Sequence, residues 1–286
     1  MALRSVPSLA GRRVLITGAA RGIGAELARR LHSKGARVAV AGLEDDLLAQ
    51  VAASVDGPSW PLDVRDRVAV ERVVDAAAAE LGGLDVVVAN AGIAAQLPLV
   101  GGDPTIFERT IEVNVLGSYY TLRAAGPHLS HGKGYALAIA SLGAAVHLPL
   151  MGAYSASKAA VEAFGNTLRQ EVRHTGAKVG VAYFAELDTD MTTRGFGTEA
   201  AQAFLKGSGA VTGVTPLKVG IDALEYGIAR RSRRIVAPAW GKPILPARMI
   251  AQRVVEVRTR RGIAEVLRIA REEQVELTTP QPERSA

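Results

Sequence analysis

Cysteine is missing from all 286 residues, which excludes disulfides, thiolate metal sites and a thiol nucleophile. No stretch approaches about 18 uninterrupted apolar residues, the length a membrane-spanning helix needs. The segment Met1 to Arg12 carries basic residues but no apolar run of signal-peptide length, so a cytoplasmic protein is the expectation. Internal repeats, low-complexity tracts and domain linkers are also lacking, and the chain reads as one domain over 1–286. Basic residues are concentrated in one region. Between 228 and 261, Arg230, Arg231, Arg233, Arg234, Lys242, Arg248, Arg253, Arg258, Arg260 and Arg261 face a single Glu256, an excess larger than the whole chain's net charge of +6. No nucleic-acid module signature accompanies these cations, so a solvated helix face or a subunit rim is expected, with no nucleic-acid partner and no metal.

What is present is a regular alternation. Apolar strand-like runs at 13–17, 37–41, 59–62, 84–89, 135–140, 178–184 and 234–237 are separated by helical patterns at 25–33, 67–81, 105–128, 153–174 and 216–230. Alternation of this kind predicts an α/β fold: a doubly wound, Rossmann-type parallel sheet of about seven strands in three α/β/α layers. Right-handed crossovers then place any ligand at the carboxyl ends of the strands. The core is expected over about 11–237, with the glycine- and threonine-rich stretch 192–213 as a mobile lid. A proline-broken connection leads to an amphipathic helical extension over about 244–274, interrupted at Gly262, and a polar tail, 278–286, is expected to be disordered.

Two local patterns carry chemistry. After the first strand, Gly18-Ala19-Ala20-Arg21-Gly22-Ile23-Gly24 opens a helix, and its glycines let backbone N–H groups and the helix dipole approach a pyrophosphate. Much later, Tyr154 and Lys158 stand four residues apart in Tyr154-Ser155-Ala156-Ser157-Lys158, on one face of a predicted helix. An ammonium beside a phenol favours phenolate, so a lowered tyrosine pKa is expected, suited to proton transfer at a carbonyl or alcohol. Ser141, at the end of the fifth strand and thirteen residues before Tyr154, is placed to bring a second donor to the same oxygen.

Together with Leu62-Asp63-Val64, Asn90-Ala91-Gly92 and Val113-Asn114-Val115 in the same order, these motifs resemble the short-chain dehydrogenase/reductase family over roughly 11–237. The resemblance implies NAD or NADP as cofactor, with Asp63 and Val64 at the adenine and Asn90, Ala91 and Gly92 beside its ribose. It further implies Lys158 on the nicotinamide ribose, Leu187 and Thr189 at the carboxamide, and Asn114 bending its helix so that its main-chain carbonyl holds a relay water. Hydride would pass between nicotinamide and substrate carbon while Tyr154 acts as general acid or base and Ser141 steadies the forming alkoxide. Relatives usually assemble as dimers or tetramers, so a homodimer or homotetramer is expected.

Some positions depart from the family's pattern or leave choices open. Where Pro-Gly commonly precedes the threonine segment, this chain has Phe184-Ala185-Glu186-Leu187, which changes the backbone's restriction there. Gly42, at the end of the second strand, cannot chelate a ribose. Arg21 is suited to a 2′-phosphate and tilts the reading toward NADP, while Glu44 would serve ribose hydroxyls. The stretches 143–151, with His147 as a loop residue, and 94–99 are expected to line an apolar pocket for a hydrophobic secondary alcohol or ketone. The basic extension offers contact with an anionic membrane surface, or packing on the pocket or on another subunit. Two other functions share these motifs in part: an epimerase or dehydratase on the same fold, and a dinucleotide-binding scaffold without chemistry.

Overall fold

The computed structural model describes residues 6–192, 196, 198–208, 213–273, 275 and 277–282. The strands are β1 (Arg13–Thr17), β2 (Arg37–Gly42), β3 (Ser59–Pro61), β4 (Val86–Ala89), β5 (Tyr135–Ile139), β6 (Lys178–Phe184) and β7 (Arg234–Ala237). All pairings between them are parallel, and the spatial order is β3-β2-β1-β4-β5-β6-β7. Their continuous apolar sequences follow from burial on both faces. In β1, Val14 and Ile16 enter one core and Leu15 the other, as the two-residue period of a strand requires.

Helices cover both faces. On one side lie α1 (Gly22–Ser33), α2 (Asp45–Ser54) and, later in the chain, α8 (Leu217–Arg230), whose Leu27, Leu31, Leu48, Ile221, Leu224 and Ile228 pack on the sheet. On the other lie α3 (Arg67–Leu81), α5 (Gly117–Leu129) and α6 (Gly152–Glu171), contributing Val70, Val74, Leu122, Leu129 and Val161. Local chemistry sets the ends of α3: the Asp66 carboxylate accepts from the N–H groups of Val68 and Ala69, and Gly82 closes the helix at φ 73°. This is the doubly wound fold that the alternation predicts. The direction in which successive strands are added reverses between β1 and β4, which opens a crevice at their carboxyl ends.

Several elements differ from expectation. Helix α2 has no counterpart in the predicted pattern. The single helix expected at 105–128 is instead α4 (Pro104–Ile111), a wider π turn at Glu112–Leu116, and α5. Within 192–213, expected as a loop, Glu199–Ser208 form helix α7; residues 193–195, 197 and 209–212 lie outside the described residues. The extension comprises α9 (Arg248–Thr259) and α10 (Ile263–Glu272), divided at Gly262 with φ 81°. Helix α10 packs Val266 and Ala270 against Ala200 of α7 and Leu150, whereas α9 exposes Met249, Ile250, Val254 and Val257. Residues 278–282, expected to belong to a disordered tail, lie against the sheet's carboxyl edge, with Thr278 only 4% exposed; 283–286 lie outside the described residues. Among the described residues no helix is long and apolar enough to cross a membrane.

Candidate active site

A cleft of about 1200 Å³, counted with its open mouth, follows the β1/β4 crevice. Its floor is the glycine turn. Gly18 and Gly22 take φ values of 63° and 55°, which side chains rarely adopt, and a Cβ on Gly18 would come within 2.5 Å of Ala91 Cα. A Cβ on Gly24 would overlap the Gly18 carbonyl and lie 2.6 Å from Asn90 Nδ2. Asn90 closes the turn from the other side, its amide donating to the carbonyls of Thr17 and Gly18 at 3.0 and 2.9 Å. Thus Gly18, Gly22, Ile23, Asn90, Ala91 and Gly92 form one surface.

Asn114 sits in the π turn with 0% exposure. Its Oδ1 accepts from Ile93 N at 2.8 Å, and its Nδ2 donates to Ile93 O and Ser157 Oγ, each at 2.9 Å. The side chain is therefore spent in structural bonds that join α6 to the segment after β4. This satisfies the burial of an amide in an apolar helix. The turn itself supplies the bend, because insertion of a wider turn breaks the α-helical ladder.

Ser141, Tyr154 and Lys158 converge as the spacing predicts. The Ser141 hydroxyl lies near enough to the Tyr154 phenol to pull its pKa down. Ser141 Oγ also donates to Phe184 O at 3.2 Å and accepts from Gly143 N at 3.0 Å. Lys158 Nζ donates to Ile139 O at 3.0 Å and lies 5.7 Å from the centre of the Tyr154 ring. A Cβ on Gly92 would sit 3.2 Å from that ammonium nitrogen and 3.3 Å from Asn114 Oδ1, so glycine there leaves room for the lysine head. The lowered phenol pKa expected from the cation is not what the geometry gives. Burial raises the Tyr154 pKa, with the Ser141 hydroxyl pulling the other way, and burial also lowers Lys158 to about 8. Phe196 packs edge-on to the Tyr154 ring at 5.5 Å between centroids, adding to the desolvation.

At the opposite end, Asp63 and Val64 line the cleft, and Val64 packs against Gly117. The Asp63 carboxylate is chelated by Arg65, whose Nε lies 2.9 Å from both oxygens. Gly42 also lines the cleft, with its Cα side against Ala20. Arg21 reaches both Glu44, just beyond β2, and Asp190, at 3.1 Å, while its buried Nε has no partner. That paired arginine differs from the free 2′-phosphate ligand that the turn sequence suggests. Beyond β6, Leu187 bridges Thr215: Asp188 N donates to Thr215 O at 2.8 Å and Thr215 N to Glu186 O at 2.9 Å. Ala185 N donates to Ala237 O at 3.1 Å, a bond that proline in its place would forfeit. Leu187 and Thr189 both line the cleft, Thr189 across from Gly22. Glu186 lines the cleft, and desolvation by burial raises its pKa.

The stretches 143–151 and 94–99 do not line this cleft. Ala95 and Leu97 are drawn into a small cluster with Ala153, Leu150 packs under α7 and α10, and exposed His147 is held through its backbone by Gln252. Apolar lining comes instead from Ile93, Ile139, Phe184, Leu187, Met191 and Phe196. Sequence reasoning also missed Arg65, Asp190, Phe196 and Thr278. None belongs to a motif, and each reaches the site through tertiary packing. The cradle that a Cβ would fill, together with the orphaned Arg21 nitrogen, fits a dinucleotide's phosphates and ribose. Gly18, Gly22 and Ile23 would hold the phosphates, Asn90 would stand beside the adenine ribose, and Lys158 and Thr189 would hold the nicotinamide end.

A family model described as short chain dehydrogenase matches residues 12–200. The chain belongs to the short-chain dehydrogenase/reductase family. It is thereby an NAD(P)-dependent oxidoreductase. The chain is 36% identical over 170 residues to a 2-dehydro-3-deoxy-L-rhamnonate dehydrogenase (NAD(+)) of Sphingomonas sp., covering 58% of this chain and 68% of that one. It is 35% identical over 208 residues, or 71% of its length, to the glycine betaine reductase ATRR of Emericella nidulans, of which the match spans only 16%. Among solved structures, a short chain dehydrogenase from Burkholderia cenocepacia J2315 in complex with NADP superposes with a TM-score of 0.71 at 29% identity, covering 80% of this chain and 97% of that one.

Proposed function

We propose that this oxidoreductase interconverts a hydrophobic secondary alcohol and its ketone, with Tyr154 as the general acid and base. The observation that carries the reading is the convergence of Ser141, Tyr154 and Lys158 beside the glycine cradle, under apolar walls from Phe184, Leu187, Met191 and Phe196. The dinucleotide, when bound, supplies or accepts the hydride. In the reducing direction Tyr154 gives its proton to the substrate oxygen, and the Ser141 hydroxyl, turning from the Phe184 carbonyl, donates to the same oxygen as negative charge develops. A phenol whose pKa burial has raised holds its proton at neutral pH, which suits this direction. Lys158, protonated below about pH 8, holds the nicotinamide ribose and favours the tyrosinate left behind. Asn114 acts by fixing the π turn, whose main-chain carbonyl would seat the relay water.

Both phosphate forms of the cofactor fit. NADP requires Arg21 to exchange Glu44 and Asp190 for the 2′-phosphate, and NAD leaves Glu44 to the ribose hydroxyls. The enzyme is proposed to work in the cytoplasm as a homodimer or homotetramer. A panel of secondary alcohols and ketones of graded chain length, run with each cofactor and followed at the reduced-nicotinamide absorbance band, tests the reading. Turnover that rises with chain length is expected. Turnover confined to short charged substrates would overturn the apolar pocket, and product formation without net cofactor reduction would point to an epimerase.

A further inference from the structure

The segment after α10 is pinned across the cleft. Val275 and Leu277 pack against the cluster of Leu97, Ala153, Ile106 and Phe107, and Leu277 also reaches the main core beneath α5 and α6. Thr278 is buried, and its Oγ1 accepts from Ala94 N at 3.2 Å while its own N–H donates to Ala94 O at 3.4 Å. Ala94 directly follows Ile93, which Asn114 holds through both backbone groups. Four residues further, the Pro282 carbonyl accepts from Arg65 NH2 at 2.9 Å and from Arg109 NH1 at 3.2 Å. Arg65 is the same buried arginine that chelates Asp63. Between these two anchors, Thr278, Thr279 and Gln281 line the cleft opposite Asp63, Val64 and Val113.

We propose that residues 278–282 form a wall of the dinucleotide site over its adenosine half, presenting the Thr279 hydroxyl and the Gln281 amide to the adenine ribose or base. This deepens the reading above and rests on it. Two features favour a wall over a passing tail. One anchor is the backbone of Ala94, next to the cleft-lining Ile93, and the other is the arginine that chelates the cleft-lining Asp63, so the segment's position is fixed relative to the adenosine half. Its ordering cost is also met before any ligand arrives, because bonds and burial at Thr278 and Leu277 hold it in place, and preorganisation of that kind is what turns contacts into affinity. The helices before it add a second consequence. Glu273, at the end of α10, accepts from the N–H groups of Glu199 and Ala200 at 2.7 and 3.1 Å, so the same extension that delivers the wall also caps α7.

Isothermal titration of the full chain and of a chain ending at Glu273, each with ADP-ribose and with NMN, tests the assignment. Loss of the wall is expected to weaken ADP-ribose about tenfold and to leave NMN binding unchanged. Equal affinity in both chains would overturn the proposal, and so would tighter ADP-ribose binding by the shortened chain, which would make the segment a plug. Should the shortened chain fail to fold, Arg109→Gln removes one anchor from outside the cleft and is expected to weaken ADP-ribose about threefold with an unchanged melting temperature. An unchanged ADP-ribose affinity in that variant overturns the wall. Failure of the full chain to bind ADP-ribose at all would sink the cofactor reading as well, a result distinct from normal binding that ignores the truncation.

Discussion

At the scale of single residues the site is governed by burial. Tyr154, Lys158 and Asn114 are all buried, and each meets that burial differently: the phenol by staying protonated, the amine by losing proton affinity, the amide by filling its hydrogen bonds. Tyr154→Phe is expected to lower kcat by about 10²–10⁴-fold while dinucleotide affinity changes less than about threefold. Retention of most turnover would remove Tyr154 from its role. Lys158 gives a pH signature. Its folded pKa of about 8 lies below the ordinary 10.5, so below pH 8 both folded and unfolded chains carry the proton and the full cost of burying it is present. As pH rises from about 8 toward 10.5 the folded chain releases the proton first, and stability increases by up to about 3 kcal/mol. Urea unfolding of the cofactor-free protein is expected to reveal this rise, and Lys158→Met to abolish it. Parallel pH profiles for the two proteins would contradict the burial argument.

Elements position these residues, and the π turn is the most informative of them. Asparagine at 114 has poor helix preference in an otherwise apolar run, and its burial there needs a reward in hydrogen bonds. The reward proved to be Ile93, whose N–H and C=O are both taken by the one amide. Asn114→Ala is therefore expected to cost about 2–4 kcal/mol, because it leaves both buried backbone groups unpaired. Asn114→Leu, which fills the volume without replacing the bonds, should cost about as much, and a neutral result in chemical denaturation would refute the account. The glycine turn was legible for the opposite reason. A close approach can be made only by a residue without a side chain, so Gly18 and Gly24 announce it directly. Gly24→Ala is expected to abolish dinucleotide binding, measured by quenching of intrinsic fluorescence.

For the molecule as a whole, cofactor choice is proposed to depend on three segments that meet at one point. Arg21 from the glycine turn, Glu44 after β2 and Asp190 after β6 form a cluster with one positive and two negative charges. Removing one of the negatives frees the guanidinium for a 2′-phosphate. Glu44→Gln is accordingly expected to shift the ratio of kcat/KM for NADP over NAD upward by about tenfold, on the scale of one close charge pair. A fall in that ratio would show that Arg21 does not face the phosphate. Light scattering is expected to find a dimer or tetramer, and a monomer at micromolar concentration would overturn the proposed assembly.

The alternation of strands and helices and the four-residue spacing of Tyr154 and Lys158 were determined by the sequence itself, since periodicity and spacing along one helix are local properties. The helix inside 192–213, the apolar lining, the pairing of Arg21 and the course of 278–282 were decided only by tertiary structure. Glu199–Ser208 gain their partner from α10, more than sixty residues on, and Thr278 is fixed by Ala94, far earlier in the chain. A polar, proline-bearing tail carries no periodic signal of its own. Its order comes from backbone bonds and buried arginine contacts that distant residues provide, and such contacts exist only once the sheet has brought those residues together.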